Sequence, residues 1–243
     1  MSITLQRHLL AAMTAMILFA NHASGVSIRD DVPASEYIAL GADPRYEATG
    51  AWFVNTAQEC NATVIGPSWI VTAGHCGGNR FGLGADIDNL IADRSIISQE
   101  RHPDFNTTSP ALGPDLRVAE LDSPILDVTP ARLYRTVGFE RDRDAVFIGY
   151  GHIGSGDAGF SFANPRGIRY GAQNTIDRFG GQIGLTLDSF AFDFDNPSTT
   201  ADNAFGSSDP LPLEGLITSR DSGGGWYVEE NGVTYLILSL IHI

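Results

Sequence analysis

The chain has 243 residues, of which 43% are hydrophobic and 18% charged. That is enough apolar material for the core of one large or two small domains, and it excludes a disordered or fibrous protein. The 29 acidic against 15 basic residues leave a formal charge of -14, which excludes binding to nucleic acid or an anionic membrane by non-specific attraction and favours solubility.

Residues 1–25 read as a secretory signal. Arg7 and His8 precede an apolar run from Leu9 to Ala20 that is too short to span a bilayer, and Ala23-Ser24-Gly25 offers small residues to a signal peptidase. The mature chain then starts near Val26, and losing Arg7 takes the charge from -14 to -15. No other apolar run is long enough for a membrane span, so the expected location is secreted, periplasmic or extracellular. Export makes a disulfide plausible, and two cysteines allow one intramolecular pairing, Cys60 with Cys76.

From Val26 to Gly50 the chain is polar and broken by Asp30, Asp31, Pro33 and Pro44. From Ala51 to Ser98, short β-branched or aromatic runs (AWFV, ATVIG, WIVTA) alternate with Gly, Asn and Asp turns. The rhythm returns in AVFIGYG (Ala145 to Gly151), GLTLDSFAFDF (Gly184 to Phe194) and VTYLILSLI (Val233 to Ile241). No sustained 3.6-residue pattern follows residue 25, so the class is all-β, with two packed barrels or sandwiches. The lead-in from Val26 to Gly50 is expected to wrap the first of them. A boundary falls within Asp122 to Arg141, where Pro124, Pro130 and charged residues separate strand-like runs. Gly154 to Gly167 and Asn196 to Pro210 read as surface loops.

Two stretches carry the chemistry: CNATVIGPSWIVTAGHC from Cys60 to Cys76, and DSGGG from Asp221 to Gly225. The first reads as a strand (Thr63 to Ile65), a turn, a second strand (Trp69 to Thr72) and a tight Ala73-Gly74 step presenting His75. It resembles the TAAHC region of chymotrypsin/trypsin-like serine proteases, in which a disulfide of this spacing brackets the catalytic histidine. DLRVAELDSP, opening at Asp115, resembles the family's aspartate segment, with Leu121 and Pro124 at the family's offsets, and HPDF (His102 to Phe105) resembles the pattern upstream of it. DSGGG resembles the serine motif, and Gly149-Tyr150-Gly151 the G-W-G strand end. RYGAQNTID, the DFD at Asp193 to Asp195 and the LEGL before the serine resemble a bacterial exported branch of such proteases.

The resemblance implies two packed antiparallel β-barrels of chymotrypsin-like type, residues 26–130 and 131–243, the second incomplete at its end. It also implies a secreted serine endopeptidase acting on proteins or peptides without a cofactor. A serine hydroxyl is a poor nucleophile near neutral pH, so acyl transfer needs a base, and the base needs a partner fixing its tautomer. The resemblance assigns Ser222 as nucleophile, His75 as general base and Asp115, rather than Asp104 or Asp122, as orienting carboxylate. The backbone N–H groups of Arg220 and Ser222 would form the oxyanion hole. Asp221 would lie buried beneath the site, and Ser239 would edge the substrate cleft. On its own, Asp115 could equally just start a strand after Pro114.

Three departures keep a second reading open, a weak or inactive homologue that binds a peptide or protein. Arg220 stands where the family has glycine, 21 residues follow Ser222, and no IVGG-like activation sequence is present. An arginine at that place is expected to turn its peptide so that a carbonyl faces the hole. A free amino group at Val26 could pair with Asp221. The specificity pocket falls near Glu214 to Ser219, where Leu216 and Ile217 suggest apolar walls and an inward Glu214 would favour a basic side chain. Arg220 also breaks the α/β-hydrolase elbow pattern. Asp193 and Asp195 lack regular calcium-ligand spacing, and His102, His152 and His242 lack zinc spacing, so no metal is expected. Asn61 and Asn106 open glycosylation sequons.

Overall fold

The computed structural model describes residues 26–136, 140–185 and 189–237. The expected signal segment and Ser239 lie outside the described residues. Among the described residues, no helix is long and apolar enough to cross a membrane.

The first part of the chain runs through β1 (Val26–Ile28), helix α1 (Ala34–Gly41), β2 (Thr49–Val54), β3 (Ala57–Gly66), β4 (Trp69–Thr72), β5 (Arg80–Leu83), β6 (Ala92–Arg101) and β7 (Arg117–Leu121). The second part holds β8 (Asp144–Gly149), β9 (Ile153–Ser155), β10 (Gly159–Phe160), β11 (Tyr170–Thr175), β12 (Arg178–Phe179), β13 (Phe190–Ala191), β14 (Gly215–Leu216), β15 (Gly225–Glu230) and β16 (Val233–Ile237). Strands β2, β3, β4, β7, β6 and β5 close in that order into a barrel. The second half is built on two four-stranded sheets, ordered β11-β8-β15-β16 and β10-β9-β1-β14.

Period-two alternation explains how each strand serves two surfaces. On β2, Trp52 points into the barrel with Val64, Ile70, Phe81 and Leu121, while Ala51 and Phe53 point outward onto Tyr150 of the second half. Both faces are therefore apolar, and β2 is buried along nearly its whole length. The contact between halves is completed by Tyr46, Val71, Ile148, Tyr227 and Leu236. The Tyr150 hydroxyl donates to the Gly84 carbonyl at 2.5 Å, and Arg169 donates to the Gly41 carbonyl at 2.7 Å.

The lead-in departs from expectation. Instead of wrapping the first barrel, β1 pairs with β9 and β14 and α1 packs on β11, so residues 26–41 belong to the second half. The helix follows Pro33, whose extended backbone sets its start. At eight residues it spans two turns, too few for a periodic signal. The expected loop from Gly154 to Gly167 carries the β9–β10 pairing.

Candidate active site

Strand β4 ends at Thr72, and the chain turns through Ala73-Gly74 to present His75 at the barrel's edge. A Cβ on Gly74 would stand 2.7 Å from the Phe105 ring and 3.0 Å from Asp115 Oδ1. Glycine therefore lets this turn close against the loop carrying Asp115. The Cys60–Cys76 disulfide ties the next residue back to β3, and Arg117 donates to the Gly74 carbonyl at 3.0 Å.

Asp115 precedes β7 and does not itself start a strand. Its Oδ1 accepts from the His75 backbone N–H at 2.8 Å and its Oδ2 lies 2.6 Å from His75 Nδ1. The Asp115 side chain is 1% exposed and that of His75 is 32% exposed. A neutral imidazole held this way carries its proton on Nδ1 and leaves Nε2 free as a base. Asp104 is exposed beside His102, and Asp122 is exposed at the end of β7. Cys60, His75 and Cys76 sit close enough to resemble a metal-ligand set, but both sulfurs are spent in the disulfide.

Ser222 lines the same cleft, which holds about 940 Å³ and is also bounded by Val54, Glu59, Phe162 and Ser219. The residues around the serine are held by contacts from both halves. Asn61 N–H donates to the Ser222 carbonyl at 2.7 Å. Gly223 has φ +78°, and a Cβ there would stand 2.1 Å from Thr72 Oγ1, so only glycine lets the serine loop lie this close to the barrel.

Asp221 is buried below the loop. Its carboxylate accepts from Gly151 N–H at 2.8 Å and from Thr218 N–H and Oγ1, both at 3.0 Å. Cβ atoms on Gly149 and Gly151 would come 2.0 and 2.7 Å from Asp221 Oδ1, which explains both glycines of Gly-Tyr-Gly. Burial pushes the Asp221 carboxyl up to about 7, against its three hydrogen bonds.

Arg220 departs from expectation. Its φ is +76°, the left-handed region that arginine resists, yet no carbonyl is turned into the cleft. The Ser219 carbonyl accepts from His152 N–H at 3.3 Å, so the Arg220 N–H of the same trans peptide points the opposite way. The Arg220 carbonyl accepts from Gln58 Nε2 at 2.9 Å and Asn61 Nδ2 at 3.0 Å. Gln58 and Asn61 are buried, and sequence reasoning passed over both. Asn61 was visible only as a sequon, although its buried amide leaves no room for a glycan.

Glu214 does not face the cleft. Its buried carboxylate accepts from Asp195 N–H at 2.7 Å and Leu211 N–H at 2.6 Å, and burial pushes it up to about 7. Leu216 is engaged in β14 against Ser27, and Ile217 packs on the second core. The cleft instead gains Phe162, 69% exposed, from the connection after β10.

The family model described as Trypsin matches residues 41–166, just over half of the chain and inclusive of His75 and Asp115. Human kallikrein-4 is 32% identical over 73 residues, covering 27% of this chain and 28% of that protein. The match thus spans well under two thirds of that relative. The solved structure of neuropsin, described as a serine protease expressed in the limbic system of mouse brain, superposes with a TM-score of 0.58 over 85% of this chain and 82% of its own, at 17% identity. That likeness shows the fold, a chymotrypsin-like double barrel.

Proposed function

The chain belongs to the trypsin family, and from that premise we propose that it is an exported serine endopeptidase, of the bacterial kind suggested by RYGAQNTID and LEGL, acting through Ser222, His75 and Asp115. The observation that carries this reading is the two-point grip of Asp115 on His75, at 2.8 and 2.6 Å, in the cleft that Ser222 lines.

Each residue then has a defined task. Ser222 Oγ attacks the scissile carbonyl carbon while His75 Nε2 takes the hydroxyl proton, and Asp115 stabilises the resulting imidazolium. The carbonyl π electrons move to oxygen, and that oxyanion accepts hydrogen bonds from the N–H groups of Arg220 and Ser222. His75 gives its proton to the departing amine, leaving an acyl-Ser222 ester. Water, deprotonated by His75, adds to the ester carbonyl; the acyl C–Oγ bond then breaks, the acyl group leaves as the carboxylic acid, and His75 returns the proton to Ser222 Oγ. The orientation of the Ser219–Arg220 peptide supports this reading over the binding-module alternative, because the donor is not replaced by a carbonyl. Glu214, tied to two backbone amides, supports a cleft without a strong preference for basic side chains.

The test is labelling with a fluorophosphonate probe, which reports an activated serine. A single adduct mapped to Ser222 and absent in Ser222→Ala and His75→Ala is expected. An unlabelled, folded wild-type chain would favour the binding module.

A further inference from the structure

A left-handed arginine at the oxyanion hole needs something to hold it there. Glycine adopts this backbone at little cost, whereas an L side chain raises its energy enough to depopulate it about tenfold. The structure surrounds Arg220 with a specific set of restraints: on its amino side the Ser219 carbonyl is held by His152 N–H of the second half, and on its carbonyl side the restraints come from the first barrel.

Their origin is a bulge in β3. Trp52 of β2 pairs with Cys60 while Phe53 pairs with Gln58, so Glu59 is the extra residue. In a regular strand, residues 58 and 61 would face opposite sides. The bulge turns both amides toward the second half, a re-aiming that bulges provide beside functional sites. Gln58 Nε2 and Asn61 Nδ2 donate to the Arg220 carbonyl at 2.9 and 3.0 Å. Gln58 Nε2 also donates to the Cys60 carbonyl at 3.0 Å. The extra residue is used as well: Glu59 forms an ion pair with the Arg220 guanidinium, which also reaches the Gln58 carbonyl at 3.4 Å.

We infer that Gln58 and Asn61 are positioning residues for the oxyanion hole, clamping the Arg220 carbonyl so that its N–H stays toward the cleft, and that this clamp replaces the glycine found at this place in the family. The kinetic part of this inference rests on the proposed protease activity; the conformational part does not. The two amides outweigh the ion pair. They are buried, whereas the Arg220 and Glu59 side chains are 26% and 36% exposed, and a partly solvated pair adds little.

The experiment uses the full chain, with Gln58→Met, which keeps volume but donates no hydrogen bond, Asn61→Ala, their double variant, and each in an Arg220→Gly background. Melting temperatures check folding. Turnover of a peptide substrate should show kcat falling about tenfold in the double variant with KM within about twofold, because the hole acts on the transition state. Relative to Arg220→Gly alone, the same pair should lose less than about twofold, since glycine needs no clamp. Glu59→Ala should lose less than about threefold. An equal loss in both backgrounds, or none in either, would overturn the inference. A crystal structure of the double variant provides the reading independent of activity: Arg220 is expected to leave positive φ, and retention of φ near +76° with its N–H still toward the cleft overturns the clamp. If the wild type hydrolyses nothing, the protease reading fails while this structural outcome still decides the clamp.

Discussion

At the scale of single residues, the contacts of Asp115 and Arg220 make opposite predictions about substitution. Asp115→Asn keeps the shape but presents an amide to His75, favouring the wrong tautomer, and kcat should fall by about 10⁴-fold, the family's magnitude carried over to this site. Turnover of Asp115→Asn within tenfold of wild type would show that Asp115 does not orient the base. For Arg220→Gly, an arginine whose peptide carbonyl faced the hole, as the sequence leads one to expect, would predict a gain of about tenfold or more. The hydrogen bonds of the Ser219 and Arg220 carbonyls reverse that expectation: the donor already points outward, so the gain should not exceed about threefold. A tenfold gain measured under single-turnover conditions would mean that the hole opens only when the side chain is removed.

At the scale of elements, the disulfide lies in the first barrel beside His75 and β1 in the second half. Cys60 and Cys76 are separated by 16 residues, for which chain entropy gives about 3 kcal/mol of stabilisation. Reduction should lower the melting temperature and loosen the His75 turn first, as hydrogen exchange at residues 73–76 would register. Unchanged exchange there after reduction would contradict it. Strand β1 has a different task. Val26 pairs with Ile153, two residues beyond the Gly151 N–H that holds Asp221. We expect the active form to begin at Val26, its ammonium supplying the cation that the buried Asp221 lacks among the described residues. Amino-terminal sequencing of the probe-labelled fraction should return Val26; a start far from that residue removes the expectation.

At the scale of the whole molecule, the buried carboxyls of Asp221 and Glu214 and the half-buried one of Asp177 set the pH response. Asp221 and Glu214 are pushed up to about 7 and Asp177 to about 6, burial being the largest cause in each. Each binds its proton more tightly when folded than in the unfolded chain, where the values are 3.8, 4.5 and 3.8. Their stabilisation is therefore complete below about pH 4 and is lost as pH rises through 6 to 7. The formal charge of -14 adds self-repulsion in the same direction. For the chain before processing at Val26, the melting temperature should peak in mild acid and decline toward pH 8, and a rising profile over pH 5 to 8 would contradict this assignment.

The sequence's legibility follows the same division of local from long-range interactions. Strand β4, the His75 turn and the glycines around Ser222 are local patterns, written within a dozen residues. The place of β1 in the second half was hidden, because its partners lie more than a hundred residues away at Ile153 and Leu216. Gln58 and Asn61 were hidden for a different reason: a bulge changes which way a side chain faces without leaving a compositional mark.

His75, Asp115 and Ser222 are proposed to act as one unit, which kcat/KM on a peptide substrate for His75→Ala, Ser222→Ala and the double variant tests directly. If the histidine serves only to activate the serine, either single change should abolish nearly all hydrolysis and the double should lose little more. Losses that multiply, each side chain contributing independently of the other, would contradict it.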